Sequence, residues 1–475
     1  MSIRKKTFTA VIWNSFGGVF DMVLVFIFSI VLSRIFGPIE FGLLAIAMSY
    51  IGLSDALVVL GFHTALIQAK DVTQRDYSTI FIINVLMGLF FTLLFFVLAP
   101  WISDWYGKPE LSWVIRILSL LFIINGLTVV HRAYCERTLN FKWLNIARIS
   151  ALIIGGVTGI GMAYWGYGMI SLVIYTLLNT LVASLIIWFK SGWKVSFDFS
   201  FSILSKYWSY SSRVFGANMM RTLTTKLDVL ILGKYQTTAT LGNYYRGKSL
   251  TQIATQVPSR FMLKPLFASL SKIQDNIPNL REKSGEIIRM TAFIFLPAFI
   301  FMITFSSDII HILYGMKWKD AAPYLCWFGI MGIFQILLIP NTYILLARGK
   351  AGLVFNLELG LNISKLILIL IFAPISIMSL IYAIIAHKII EYLLYLYQAS
   401  KELKEKIHHQ IRIAGYYALI SIVLVSALKY FTKNISILEY RFIMNIVIFT
   451  LVYLITNIAM HSKGWKALRS YLKEF

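Results

Sequence analysis

Residues 205–270 read SKYWSYSSRVFGANMMRTLTTKLDVLILGKYQTTATLGNYYRGKSLTQIATQVPSRFMLKPLFASL. Two segments of this stretch, 206–233 and 241–266, are long enough to cross a bilayer, which takes about 20 mostly apolar residues. They nevertheless hold Arg213, Arg221, Lys226, Asp228, Arg246, Lys248, Arg260 and Lys264, all but one cationic. A charge at the bilayer centre costs about 2.5–3.5 kcal/mol on insertion scales, so it faces protein or water and marks a site. Basic groups inside a membrane cavity point to an anionic cargo.

The rest of the chain supports a membrane setting. Its 475 residues are 58% hydrophobic and only 14% charged, and the mean hydropathy is +0.75. Soluble domains are about 45–50% apolar and about 25% charged, so the expected fold is an all-α polytopic membrane protein. Spans are expected at about 8–33, 39–62, 78–100, 111–133, 143–165, 168–189, 206–233, 241–266, 285–307, 321–347, 352–373, 377–399, 412–431 and 438–460, fourteen in all. The N-terminal run lacks a small-residue cleavage site and is read as the first span. Loops are short, so function is expected within the membrane.

Net charge is +23. With the N-terminus inside, the inner segments hold 24 Lys and Arg and the outer loops 8. That bias places both termini in the cytoplasm and accounts for the basic balance without nucleic acid. Cys135 and Cys326 are isolated in apolar helices, so no disulfide framework or metal site is implied. There is no Walker loop, no HExxH and no Ser/His/Asp set outside the membrane, so no cofactor and no enzyme chemistry is expected. Secondary transport or facilitated flipping remains.

A shift of 200 residues aligns Leu32 with Leu232, Arg34 with Lys234, Gly42 with Gly242 and Leu66 with Leu266. Spans 1–2 then lie over spans 7–8, as expected for two like-oriented halves related by an axis along the membrane normal. The expected organisation is a six-helix lobe over 1–195, a second over 205–400, and two added helices over 401–475. Under the same shift, mid-span Asp21 is the counterpart of mid-span Arg221, and the two are expected to face one another as counter-ions. Arg213, Ala217, Arg221, Thr224 and Asp228 share one helix face. Long stems let Arg213, Arg260 and Lys264 reach an interface. His63 and His131, near span ends, are also expected there, and Lys388 and Glu391 at i and i+3 are expected to neutralise one another.

Several motifs resemble Wzx-type oligosaccharide flippases, most nearly the WzxC-like branch. They are Gly37-Pro-Ile-Glu-Phe-Gly-Leu-Leu44, Ala65-Leu-Ile-Gln68, Leu227-Asp-Val-Leu-Ile-Leu-Gly233 and Leu241-Gly-Asn-Tyr-Tyr-Arg-Gly-Lys-Ser-Leu250. Pro265-Leu-Phe-Ala-Ser-Leu-Ser-Lys-Ile-Gln-Asp275, Gly315-Met-Lys-Trp318 and Ala322-Pro323 match as well. The resemblance implies a fold of the MOP superfamily, shared with MATE transporters and lipid II flippases, in which two lobes flank a cavity that alternates between leaflets. The implied cargo is an undecaprenyl-pyrophosphate-linked oligosaccharide crossing the bacterial inner membrane. Asp228, Tyr244, Arg246 and Pro265 carry over on motif position, as does Arg260 just upstream; Gly247 stands where the family more often has Ala. Together with the charge pattern, this makes Arg221, Arg246 and Arg260 the expected pyrophosphate ligands, and Asp21 and Asp228 the counter-ions. Tyr244, Asn218 and Gln252 are the expected sugar contacts. Coupling to H⁺ or Na⁺ and cooperation with polysaccharide polymerase machinery are compatible expectations. The competing readings are a MATE-like drug exporter, a lipid II flippase and a membrane polymerase or ligase.

Overall fold

The computed structural model describes the backbone of residues 3–258 and 270–473, and side chains over 17–53, 57–256 and 270–469. The described residues are mostly helical and contain no strand; the longest described non-helical stretch is 191–200. Among the described residues, fourteen helices have bilayer length. Twelve of the described segments are also apolar enough to span. The other two, Phe201–Tyr235 and Thr238–Pro258, are long enough but too charged to meet that criterion. They are the two segments singled out above, so the count of fourteen is compatible with the structure.

The chain divides into two compact units between Gly242 and Asn243. The first contains α1 (Ile3–Ile35), α2 (Pro38–Val59), α3 (Phe62–Gln68), α4 (Gln74–Tyr106), α5 (Glu110–Arg137), α6 (Phe141–Tyr164), α7 (Ile170–Lys190) and α8 (Phe201–Tyr235). Helix α9 (Thr238–Pro258) starts in it. The second unit contains the rest of α9, α10 (Ile277–Thr304), the short α11 (Ser306–Tyr314) and a 3₁₀ turn, Met316–Ala321. It continues with α12 (Ala322–Ala347), α13 (Ala351–Phe372), α14 (Ile377–Glu402), α15 (Ile407–Thr432), α16 (Leu438–Ala459) and α17 (Lys463–Lys473).

Helix surfaces explain the membrane setting. Leu86, Leu89, Phe90, Leu93, Phe96 and Val97 of α4 are all exposed. In water such a stripe would drive aggregation, whereas in lipid it is the solvated face. Trp101 and Trp105 near the end of α4, with Tyr164, Trp165 and Tyr167 around the α6–α7 turn, are exposed at span ends. That is where amphipathic rings settle at headgroup level.

The 200-residue repeat is visible in the backbone. Helix α1 ends at Ile35 and α8 at Tyr235, and α2 begins at Pro38 and α9 at Thr238. Leu32 and Leu232 are both buried. The two following helix starts cross reciprocally: a Cβ on Gly42 would lie 2.0 Å from the Thr238 carbonyl oxygen, and one on Gly242 would lie 1.9 Å from that of Pro38. Only glycine permits this backbone-to-backbone approach, which is the way membrane helices pack without a hydrophobic drive between them.

Polar side chains tie down the helix ends. Arg137 donates to the carbonyl oxygens of Leu66 (3.0 Å), Ala69 (2.5 Å) and Lys70 (2.7 Å), closing the C-terminus of α3. Thr73 and Asp76 form a capping box at the start of α4. Lys108 donates to the Gly233 carbonyl at the end of α8, and burial beside Lys234 holds its ammonium below the usual lysine range. His131 departs from its interfacial expectation: it is buried, 2.8 Å from Ser191 Oγ, against the rings of Phe81, Trp188 and Trp193. The chain after α7 folds back over α4, with Trp193 Nε1 donating to Gln74 Oε1 at 2.8 Å, and this covers the ring.

Candidate functional site

Four spans and α3 enclose a cavity of about 510 Å³ in the first unit. Its polar lining is spread over several elements: Asp21 on α1, His63 on α3, Asn125, Arg132 and Glu136 on α5, Asn145 and Arg148 on α6, and Asn179 and Thr180 on α7. Helical periodicity explains these groupings. Arg132 and Glu136 are one turn apart, as are Asn145 and Arg148, so each pair faces the same way. Arg148 Nη1 lies 3.6 Å from Asp21 Oδ2; the carboxylate is 15% exposed and the guanidinium 59%. His63 Nε2 lies 3.5 Å from Glu136 Oε1. The cavity therefore holds two guanidiniums and two carboxylates with three amides among them. Guanidinium forks suit phosphate or carboxylate oxygens, and the amides suit hydroxyls. Among the described residues no cluster could hold a metal ion.

The charges on α8 follow a single face, but their surroundings change along it. Arg213, Ala217 and Arg221 are exposed, whereas Thr224 and Asp228 are buried. Arg213 Nε donates to the Ser209 carbonyl at 2.9 Å. Arg221 Nη2 donates to Asn218 Oδ1 at 3.3 Å. Asp228 accepts from the Val229 amide at 2.9 Å. The described contacts thus place Asp21 on Arg148 and Arg221 on Asn218.

In the second unit Arg246 is 4% exposed, with its guanidinium over the rings of Tyr314 (4.8 Å) and Trp318 (5.2 Å). Tyr244 is fully buried, edge-on to Tyr324 and Phe328. Gln252 is exposed. Gly247 has a steric reason to differ from Ala: a Cβ there would lie 2.8 Å from the Leu325 amide nitrogen and from Tyr324 Cβ. Lys388 Nζ meets Glu391 Oε2 at 2.5 Å, as the i, i+3 spacing predicts. Arg260, Lys264 and Pro265 lie outside the described residues.

Sequence reasoning missed Arg148, Asn125, Asn145 and Asn179 as site residues and took Arg132 only as a topological charge. A usable signal was present: polar residues at i, i+3 or i, i+4 inside spans 4 and 5. It was obscured because the strongest charge density lies further along, on α8 and α9.

The family model for polysaccharide biosynthesis proteins matches residues 31–323. The chain is 24% identical over 359 residues to the lipopolysaccharide biosynthesis protein WzxC of Escherichia coli (strain K12), covering 75% of this chain and 73% of that protein. It is 25% identical over 307 residues to the teichuronic acid biosynthesis protein TuaB of Bacillus subtilis (strain 168), covering 63% of each. Its fold is similar to that of the lipid II flippase MurJ in an inward closed conformation. The TM-score is 0.77 at 18% identity, covering 95% of this chain and 99% of that one.

Proposed function

Because the chain belongs to the polysaccharide biosynthesis protein family, we propose that it moves lipid-linked polysaccharide precursors across the bacterial cytoplasmic membrane, from the inner to the outer leaflet. It is a transporter and not an enzyme. The family match over residues 31–323 carries this reading, because it spans the first-unit cavity's lining apart from Asp21 and the charged helices α8 and α9.

We infer a cargo of undecaprenyl-pyrophosphate-linked oligosaccharide, handled by lobes 1–195 and 205–400, with 401–475 beside the lipid tail. Arg221, exposed on α8, makes the first contact with the pyrophosphate. Arg246 joins it when Tyr314 and Trp318 release the guanidinium, and Arg260 completes the set. Asn218 and Gln252 meet sugar hydroxyls, and Tyr244 joins them if its packing opens. Asp228 neutralises part of the cationic face.

Coupling resides at Asp21. Protonating its carboxylate, or binding Na⁺ there, weakens the Arg148 contact and shifts the population between two conformations. A ligand or proton can shift such an equilibrium only by its differential affinity for the two states. Both termini lie in the cytoplasm, and the released precursor passes to polymerase machinery.

The test uses the full chain in proteoliposomes with a fluorescent undecaprenyl-pyrophosphate oligosaccharide and a membrane-impermeant quencher. Transbilayer movement above that of empty vesicles is the expected result. Movement of labelled lipid II alone would assign the chain to the lipid II reading, and movement of neither would overturn the proposal.

A further inference from the structure

A second cavity, of about 490 Å³, lies in the second unit, away from the residues assigned above. Arg289 of α10, His408, His409 and Arg412 of α15, and His461 and Lys463 at the start of α17 line it. Among the described residues no carboxylate lines it. Beside the cavity, Glu405 Oε1 lies 3.1 Å from His409 Nδ1.

Topological bias alone puts cations near span ends, but such side chains point outward to water. Here six basic groups from three separate segments line one open cavity; five of them are exposed and Arg289 is half-buried. Arg289 Nε is buried and has no hydrogen-bond partner. A buried guanidinium nitrogen left unpaired is costly, and a bound anion would satisfy it.

The floor of the cavity is rigid. Tyr417 Oη accepts from the Gly464 amide at 2.7 Å. A Cβ on Gly464 would lie 2.4 Å from Tyr417 Oη and 2.9 Å from Phe293 Cβ, so α17 is seated tightly on α10 and α15. Trp465 and Leu468 pack into the core of this unit, while Lys466 and Arg469 add further positive charge on α17.

We propose that this cavity is a binding site for a phosphate group. Two sources have that chemistry, the headgroup of an anionic membrane lipid and free inorganic phosphate. The headgroup fits the position better, because the cavity lies where α15 begins and α16 ends. Basic pockets at span ends on the cytoplasmic side are the sites where anionic headgroups bind. The proposal is independent of the cargo reading and does not involve the first-unit cavity.

Native mass spectrometry of the full chain, purified in mild detergent and exchanged with phosphatidylglycerol or phosphatidylcholine, tests it. The wild type is expected to retain phosphatidylglycerol. Arg412→Gln and the double variant Arg289→Gln/Arg412→Gln are expected to lose it at least fivefold, with phosphatidylcholine retention unchanged. In a parallel arm, inorganic phosphate is titrated against thermal unfolding. Protection of the wild type by phosphate, lost in the variants and without lipid retention, assigns the site to free phosphate. Lys463→Gln, at an exposed position, keeps the test valid should the Arg289 variant fail to fold. Equal binding of both probes by wild type and variants, or binding of neither by the wild type, overturns the proposal.

Discussion

At the scale of single residues, charges inside the membrane follow their immediate neighbours more than their depth. Arg221 and Arg246 are both cationic and both on charged spans, yet one is exposed beside Asn218 and the other is enclosed by Tyr314 and Trp318. This contrast separates their expected phenotypes. Arg221→Ala removes an exposed cation with little packing, so membrane insertion should be unchanged and translocation should fall at least tenfold in the proteoliposome assay. Wild-type translocation would remove Arg221 from the site. Asp21→Asn mimics the protonated carboxyl and leaves Arg148 with a neutral partner at 3.6 Å. The wild-type rate is expected to respond to acidification, and translocation by this variant should not. An unchanged pH response would place coupling elsewhere.

At the scale of elements, close backbone approach decides which helices meet. The reciprocal crossing at Gly42 and Gly242 leaves no room for a side chain, because the opposing atoms are carbonyl oxygens of Thr238 and Pro38. Backbone atoms cannot swing aside as a flexible side chain can. Gly42→Ala should therefore destabilise the fold by about 1–3 kcal/mol, the range for overpacking a filled interior. The checkable outcome is a lower unfolding midpoint in detergent, with the same loss for Gly242→Ala. If either variant is as stable as the wild type, the crossing does not depend on glycine. Arg137 plays the opposite part, closing α3 by hydrogen bonds and not by contact. Its place in the charge count gave no hint of that role, because topology bias and end-capping both favour a cation at a span end.

For the whole molecule, the matching helix boundaries at an offset of 200 tie α1–α2 to α8–α9, and an even span count is the basis for proposing that both ends share one side of the membrane. The 24-to-8 charge bias supports the proposal that both ends lie in the cytoplasm. On a background with Cys135 and Cys326 replaced by Ser, Lys433→Cys should react with an impermeant maleimide in intact cells. Lys401→Cys should react only after the membrane is opened. The reverse pattern would invert the orientation and with it the direction proposed for transport.

Span positions, the repeat offset and the family resemblance were legible in the linear chain. Each is a sum over neighbouring residues: hydropathy over one helix length, charge over one loop, or a motif of a few positions. Helix ends agree with those sums to within a few residues for most spans. The partners of the charges were not legible. Asp21 meets Arg148 because α1 and α6 are neighbours in the first unit and each is turned about its own axis so that these side chains converge. The basic cavity built from α10, α15 and α17 depends on the same two properties, helix neighbourhood and helix rotation. Neither property is local in sequence. The chain by itself determined that this is a many-spanned transporter with charges inside its spans; the tertiary structure alone decided which of those charges face each other and which face a cavity.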